Sequence, residues 1–164
     1  MNILAIDPGS EESAYVVVDD NMKPNHFDKI PNGELISMVH DGSFNYCEGV
    51  AIEMIASYGM AVGQEVFETC VFIGSLLEAF ANRNIICTLV YRKEAKMCLC
   101  GNPSAKDSNI QKALIDFFAR HDRKRGKGTK DNQDWFYGFH DDIWAAYAVA
   151  ITYADKNGKY MYVQ

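Results

Sequence analysis

The chain has no cysteine framework. Its five cysteines in 164 residues are an odd number without regular spacing. That excludes a disulfide scaffold and points to reduced thiols in a cytoplasm. Cys98 and Cys100 would make half of a zinc site, but no second Cys or His pair stands at matching spacing, so they read as plain thiols. Long apolar runs are also missing. The longest, 70–81, is broken by Gly, Ser and Glu and is too short to span a bilayer, so no membrane role is expected. The first residues enter a strand without a basic region or cleavage site, so no secretory signal is expected. There is no internal repeat, linker or low-complexity tract. There is no Ser/His/Asp or Cys/His arrangement suited to nucleophilic catalysis. Positive charge is short overall: 16 Lys and Arg stand against 22 Asp and Glu, a formal net charge of −6. For a nucleic-acid binder that sum has the wrong sign.

What is present is ample for one soluble globular domain over 1–164, with 48% hydrophobic and 23% charged residues. The scarce positive charge is concentrated. Arg120, Arg123, Lys124, Arg125, Lys127 and Lys130 fall in one window that holds a single acid, Asp122. The window reads either as a solvated loop or as a phosphate-gripping segment, because such attraction needs only local positive potential.

The first ten residues organise the rest. Residues 2–6 read as a short apolar strand that Asp7 ends, with Pro8-Gly9-Ser10 as a turn and 14–18 as a second strand at hairpin distance. A third strand over 26–30 ends at Pro31-Asn32-Gly33, before a short helix over 34–40. Residues 49–52 form a compact strand that delivers Glu53 near its end. The segment 55–60 reads as a loop with Tyr58-Gly59-Met60 at its exposed tip. A long helix over 62–82 carries Val66, Cys70, Ile73, Leu77 and Phe80 at helical spacing. The continuous apolar run 85–91 predicts a strand buried on both faces. Helices over 93–99, 108–120 and 140–154 complete the chain. Three early strands that pair antiparallel, then two that pair parallel, predict an α/β fold: a mixed five-stranded sheet flanked by helices.

Three acidic points stand out. Asp7 ends the first strand, Glu53 ends the strand expected beside it, and Asp141 and Asp142 open the last helix. A carboxylate at a buried strand end wants a partner, since its desolvation is costly. Hard oxygen donors from separate elements suit Mg²⁺ or Mn²⁺, and two such ions can activate water and stabilise the leaving oxygen of a phosphodiester. Taken singly, Asp7 reads as a turn starter and Asp141-Asp142 as a helix cap. The metal reading rests on the three points together. His140 reads either as a group orienting these acids or as a plain cap.

The order of motifs resembles the RuvC-like Holliday junction resolvases of the RNase H-like superfamily, over nearly the whole chain. Ile6-Asp7-Pro8-Gly9-Ser10 resembles the first motif and Ala51-Ile52-Glu53 the second. Val90-Tyr91, Ala95-Lys96 and 101–111 resemble the tyrosine-lysine segment and the Gly/Lys-rich motif. Residues 146–152 resemble the final helix. The resemblance implies an Mg²⁺-dependent endodeoxyribonuclease, with Mn²⁺ as an alternative ion. It would cut branched or four-way junction DNA symmetrically as a homodimer in the cytoplasm of a bacterial host, as a phage-type member. It implies Asp7, Glu53, Asp141 and Asp142 as metal ligands, Lys106 as a further catalytic group, and Tyr58, Met60, Lys96 and the basic window as DNA contacts. Two positions depart from the pattern. The second acidic position of the last helix falls on Ala145, and Asp107 occupies the slot of the lysine, with Lys106 one place early. The alternatives are a weakly cutting junction-binding module on the same fold, a relative acting on RNA or other DNA, and an actin-like ATPase, for which the chain has little room.

Overall fold

The computed structural model describes residues 1–158. Five strands form one sheet: β1 (Ile3–Asp7), β2 (Glu12–Val18), β3 (Pro24–Pro31), β4 (Gly49–Met54) and β5 (Cys87–Tyr91), in the order β3-β2-β1-β4-β5. β1, β2 and β3 pair antiparallel, and β1-β4 and β4-β5 pair parallel. The helices are α1 (Asn32–Asp41), α2 (Gln64–Ala81), α3 (Arg92–Cys100), α4 (Asp107–Phe118) and α5 (Ile143–Lys156). This is the mixed sheet expected from the order of strands.

Alternation along the strands divides the core. Ile3, Ala5, Val16, Val18, Ala51 and Val90 face α3, α4 and α5, whereas Leu4, Ile6, Val17, Val50 and Ile52 face α1 and α2. α5 is buried from Ala146 to Ala154; its many alanines let it lie close on β1 and β2.

Several boundaries differ from the sequence reading. Residue 85 lies outside β5, Ile86 is 91% exposed, and within β5 only Val90 is buried. The apolar run predicts a strand covered on both faces; β5 is instead an edge strand, with a neighbour on one side only. In α2 the buried stripe is Thr69, Ile73, Leu76, Ala79 and Phe80. Val66, Cys70, Leu77 and Phe72 are half-buried, while Phe67 and Val71 are exposed. Asn32 and Gly33 belong to α1. The last helix starts at Ile143, so 140–142 is a turn, with Asp141 at φ 41.

The connection from α4 to α5 carries its own small core. Phe136 and Phe139 are fully buried and meet Trp144 and Tyr147, and Phe118 stacks on Trp135. The Tyr147 hydroxyl donates to the Met22 carbonyl at 2.9 Å and accepts from the Trp135 indole at 3.0 Å. Among the described residues no helix is long and apolar enough to cross a membrane, and no disulfide forms.

Candidate metal-dependent catalytic site

Residue parity places the acids. Asp7 continues the Ile3-Ala5 face of β1, and Glu53 continues the Ala51 face of β4, so both carboxylates lie on the side of the sheet covered by α5. The pairing of Ile6 with Ile52 then sets them side by side at the strand ends. Glu53 is buried. The Asp7 carboxyl is pushed well above the usual carboxylate range, first by burial, then by the charge of Glu53 and a hydrogen bond shared with it. Two carboxyl groups so close oppose each other's ionisation.

Each of the other acidic points is held by a base. The same parity carries Lys29 from Phe27 on β3 and Arg92 from Val90 on β5. Arg92 Nη1 donates to Glu53 Oε1 and Oε2 at 3.1 and 3.3 Å, and its Nη2 stands 2.7 Å from Asp107 Oδ1. Lys29 Nζ pairs with Asp142 Oδ2 at 2.8 Å. Asp142 occupies the N-cap position of α5 but its side chain makes no capping hydrogen bond. The helix-cap reading of that carboxylate is therefore displaced by its ion pair. Asp141 is exposed, and its Oδ2 lies 3.1 Å from His140 Nδ1, so His140 touches the acid beside it.

Glu53, Arg92, Asp107, Asp141, Asp142 and Ala145 line one cavity of about 80 Å³. At about 30 Å³ per water it holds two or three waters, enough for a partly hydrated ion and not for a nucleotide. No three acidic, His or Cys groups among the described residues yet meet at one ligating point. The donor set nevertheless suits a hard divalent cation: every donor is a carboxylate, and the close Asp7–Glu53 pair needs positive charge between its oxygens.

Two larger spaces adjoin this cavity. One, of about 360 Å³, shares Glu53 and Arg92 and is walled by Met54, Tyr58, Met60, Lys93, Lys96 and Pro103. Tyr58 takes the left-handed region at φ 49, followed by Gly59 at φ 83, a turn that presents its ring at the loop tip. The Lys93 ammonium sits 3.5 Å from that ring's centre. The other space shares Asp142, is bordered by Lys29 and is acidic, with Glu11, Glu12, Glu65 and Glu68 on its walls. A separate cavity of about 490 Å³ between α3 and α4 shares none of the acids named above.

The structure does not bring every expected residue to the acids. Lys106 is exposed in front of α4 and lies outside the acid cavity; its neighbour Asp107 is the residue that faces in. The six basic residues of the window are all exposed and follow the opposite end of α4 from Asp107. A helix of 12 residues spans about 18 Å, but the window folds back along it: Arg125 Nη2 donates to Gln111 Oε1 at 3.2 Å, one turn from Asp107. Asp122 braces the window by accepting from the Gly128 N–H at 3.1 Å. Arg92, Lys29 and Asp107 are the groups that sequence reading missed. For Arg92 a signal existed, its place directly after a strand end beside Glu53.

The fold has known counterparts. A structure of Thermus thermophilus RuvC superposes with a TM-score of 0.70 at 15% identity, covering 97% of this chain and 98% of that one. RuvC of the same organism in complex with Holliday junction substrate gives 0.70 at 16%, over 96% and 94%. Fowlpox virus resolvase with Holliday junction DNA gives 0.55 at 15%, over 94% and 99%. No protein-family model matches the chain, and no curated protein matches it in sequence. At these identities the likeness is one of fold, and the fold is the RNase H-like one that RuvC shares.

Proposed function

We propose that this chain is a metal-dependent endonuclease that resolves four-way or branched DNA junctions. The observation that carries the reading is the Asp7–Glu53 pair at the ends of adjacent parallel strands, with Asp142 entering from α5, in a fold that matches a junction-bound RuvC almost end to end. Asp7, Glu53 and Asp142 would hold Mg²⁺ or Mn²⁺, with Asp141 assisting. Bound there, such ions supply an activated water and stabilise the leaving oxygen of the phosphodiester. The protein's own part is positioning. Asp7 and Glu53 are fixed by the sheet, Asp142 by the start of α5, and Lys29 holds Asp142 in place until it is needed.

DNA approaches from the Lys93 and Lys96 side, because the groove on the opposite flank carries four glutamates that repel phosphate. Tyr58 and Met60 stand at the mouth of that approach, where an aromatic ring can stack on an unpaired base. The basic window holds a further arm through phosphates alone. Paired cuts need two sites. Phe67 and Val71, 63% and 71% exposed on α2, would meet the same helix of a second copy in an isologous contact.

The direct test is incubation with Mg²⁺ and labelled four-way junction, linear duplex and single strands. Nicks on the junction in preference to the other substrates are the expected result. Tight junction binding with no nicks at any Mg²⁺ or Mn²⁺ level favours a binding module, a reading that Ala145 in the cavity wall specifically supports.

A further inference from the structure

Arg92 stands where an acid site would need a cation. Its guanidinium reaches the buried Glu53 through one nitrogen and Asp107 through the other. In so doing it ties the end of β4 to the start of α4. A guanidinium shared by two carboxylates does what a bridging metal ion does: it places positive charge between oxygens and fixes their spacing. The burial of Glu53 makes some such charge obligatory.

We infer that Arg92 holds the place of a divalent cation between Glu53 and Asp107, and that an ion entering the cavity displaces it and takes Asp107 as a ligand beside Glu53. The inference rests on the reading of these acids as a cation site. Three observations support it. The Arg92 side chain is 38% exposed, so it can swing outward without emptying a core. Asp107 is 70% exposed and can re-aim its carboxylate. Asp107 and Ala145 line the same cavity, so α4 supplies an acid where α5 offers only a methyl group.

Displacement also gives the guanidinium a destination. Arg92 borders both the acid cavity and the larger space beside Lys93 and Lys96. Swung toward that space, it joins those two lysines where a phosphate would lie, and its fork geometry suits bidentate phosphate binding. Arg92 is thus a positioning residue that couples ion loading to phosphate capture.

Calorimetric titration of Mn²⁺ into the full chain without DNA tests this. Arg92→Gln should bind Mn²⁺ about tenfold tighter than the parent, since a competing charge at contact range is gone. Arg92→Lys, which keeps the charge, should stay near the parent. Adding Asp107→Asn to Arg92→Gln should weaken binding again. In the unmutated protein, the Arg92 side-chain ¹⁵N resonance should shift in step with Mg²⁺ saturation, a readout that survives any folding defect in the variants. Unchanged or weaker Mn²⁺ binding by a folded Arg92→Gln, or an Arg92 resonance indifferent to Mg²⁺, overturns the inference. Junction cutting by the parent is scored separately: cutting with an immobile Arg92 removes this inference alone, whereas a parent that binds Mn²⁺ through these groups yet cuts nothing removes the nuclease reading alone.

Discussion

On the proposed function, Asp7 is the residue where stability and function oppose each other. Its carboxyl is raised by burial and by Glu53, so the fold favours the protonated form. The stability that proton contributes is present at low pH and is lost as pH rises through the folded value. At neutral pH without metal, Asp7→Asn should therefore raise the melting temperature, and its amide can donate to Glu53. It should also abolish cutting and leave junction binding intact. Calorimetric melts with and without Mg²⁺ check this. The parent should be stabilised by the ion, the variant far less. A variant that melts lower than the parent in metal-free buffer contradicts the charge assignment. Tyr147 is a second informative residue. Tyr147→Phe strands the Met22 carbonyl and the Trp135 indole, which should cost about 1–3 kcal/mol. A urea titration should show a lower midpoint at an unchanged slope.

Among the elements, the legible ones are short apolar runs closed by turn residues. β1, β2 and β4 are such runs, buried along almost their whole length, and they are enough to put Asp7 and Glu53 at strand ends, where the two-residue period of a strand turns both to one face. The same period carries Arg92 onto that face after Val90, but an isolated arginine forms no cluster, and the dense 120–130 window outweighs it as a sign of positive potential. Lys29 is hidden for another reason: its pairing with Asp142 depends on where α5 lands across the sheet, which no local pattern encodes. β5 misleads because an apolar run looks the same whether it is central or at an edge. The aromatic packing under 118–147 is likewise set by how an irregular connection folds back on α4 and α5, for which no periodic pattern exists.

The basic window and α2 each carry a prediction of their own. Replacing Arg123, Lys124 and Arg125 by Gln should flatten the dependence of log K on log salt by about 0.9 for each phosphate no longer neutralised. Fluorescence anisotropy across a salt series reads it, and an unchanged slope reduces the window to a solvated loop. On α2, Val71→Glu adds charge to an exposed position, so stability should move by less than about 0.5 kcal/mol. A dimer seated on this face should nonetheless fall to monomers in light scattering, and a parent that is already monomeric, with or without junction DNA, rules that face out as the contact.

At the scale of the whole molecule, the proposed function asks an acidic chain to bind a polyanion, and it would do so by dividing its charge. The glutamate-lined groove lies on one flank of the acids, Lys93 and Lys96 on the other, and the basic window follows α4, with Arg125 folded back to Gln111. On the proposed reading, a straight duplex would meet one of these basic surfaces at a time, and a branched substrate would engage both with its crossover near Tyr58. A supercoiled plasmid that extrudes a cruciform tests the account most directly. Paired cuts across a junction within one binding event give linear plasmid, and uncoordinated nicks give open circles. The account predicts linear product with Mg²⁺ from the parent protein and none from Asp7→Asn. Linearisation by Asp7→Asn at the parental rate, or nicking by the parent that ignores the cruciform, would contradict it.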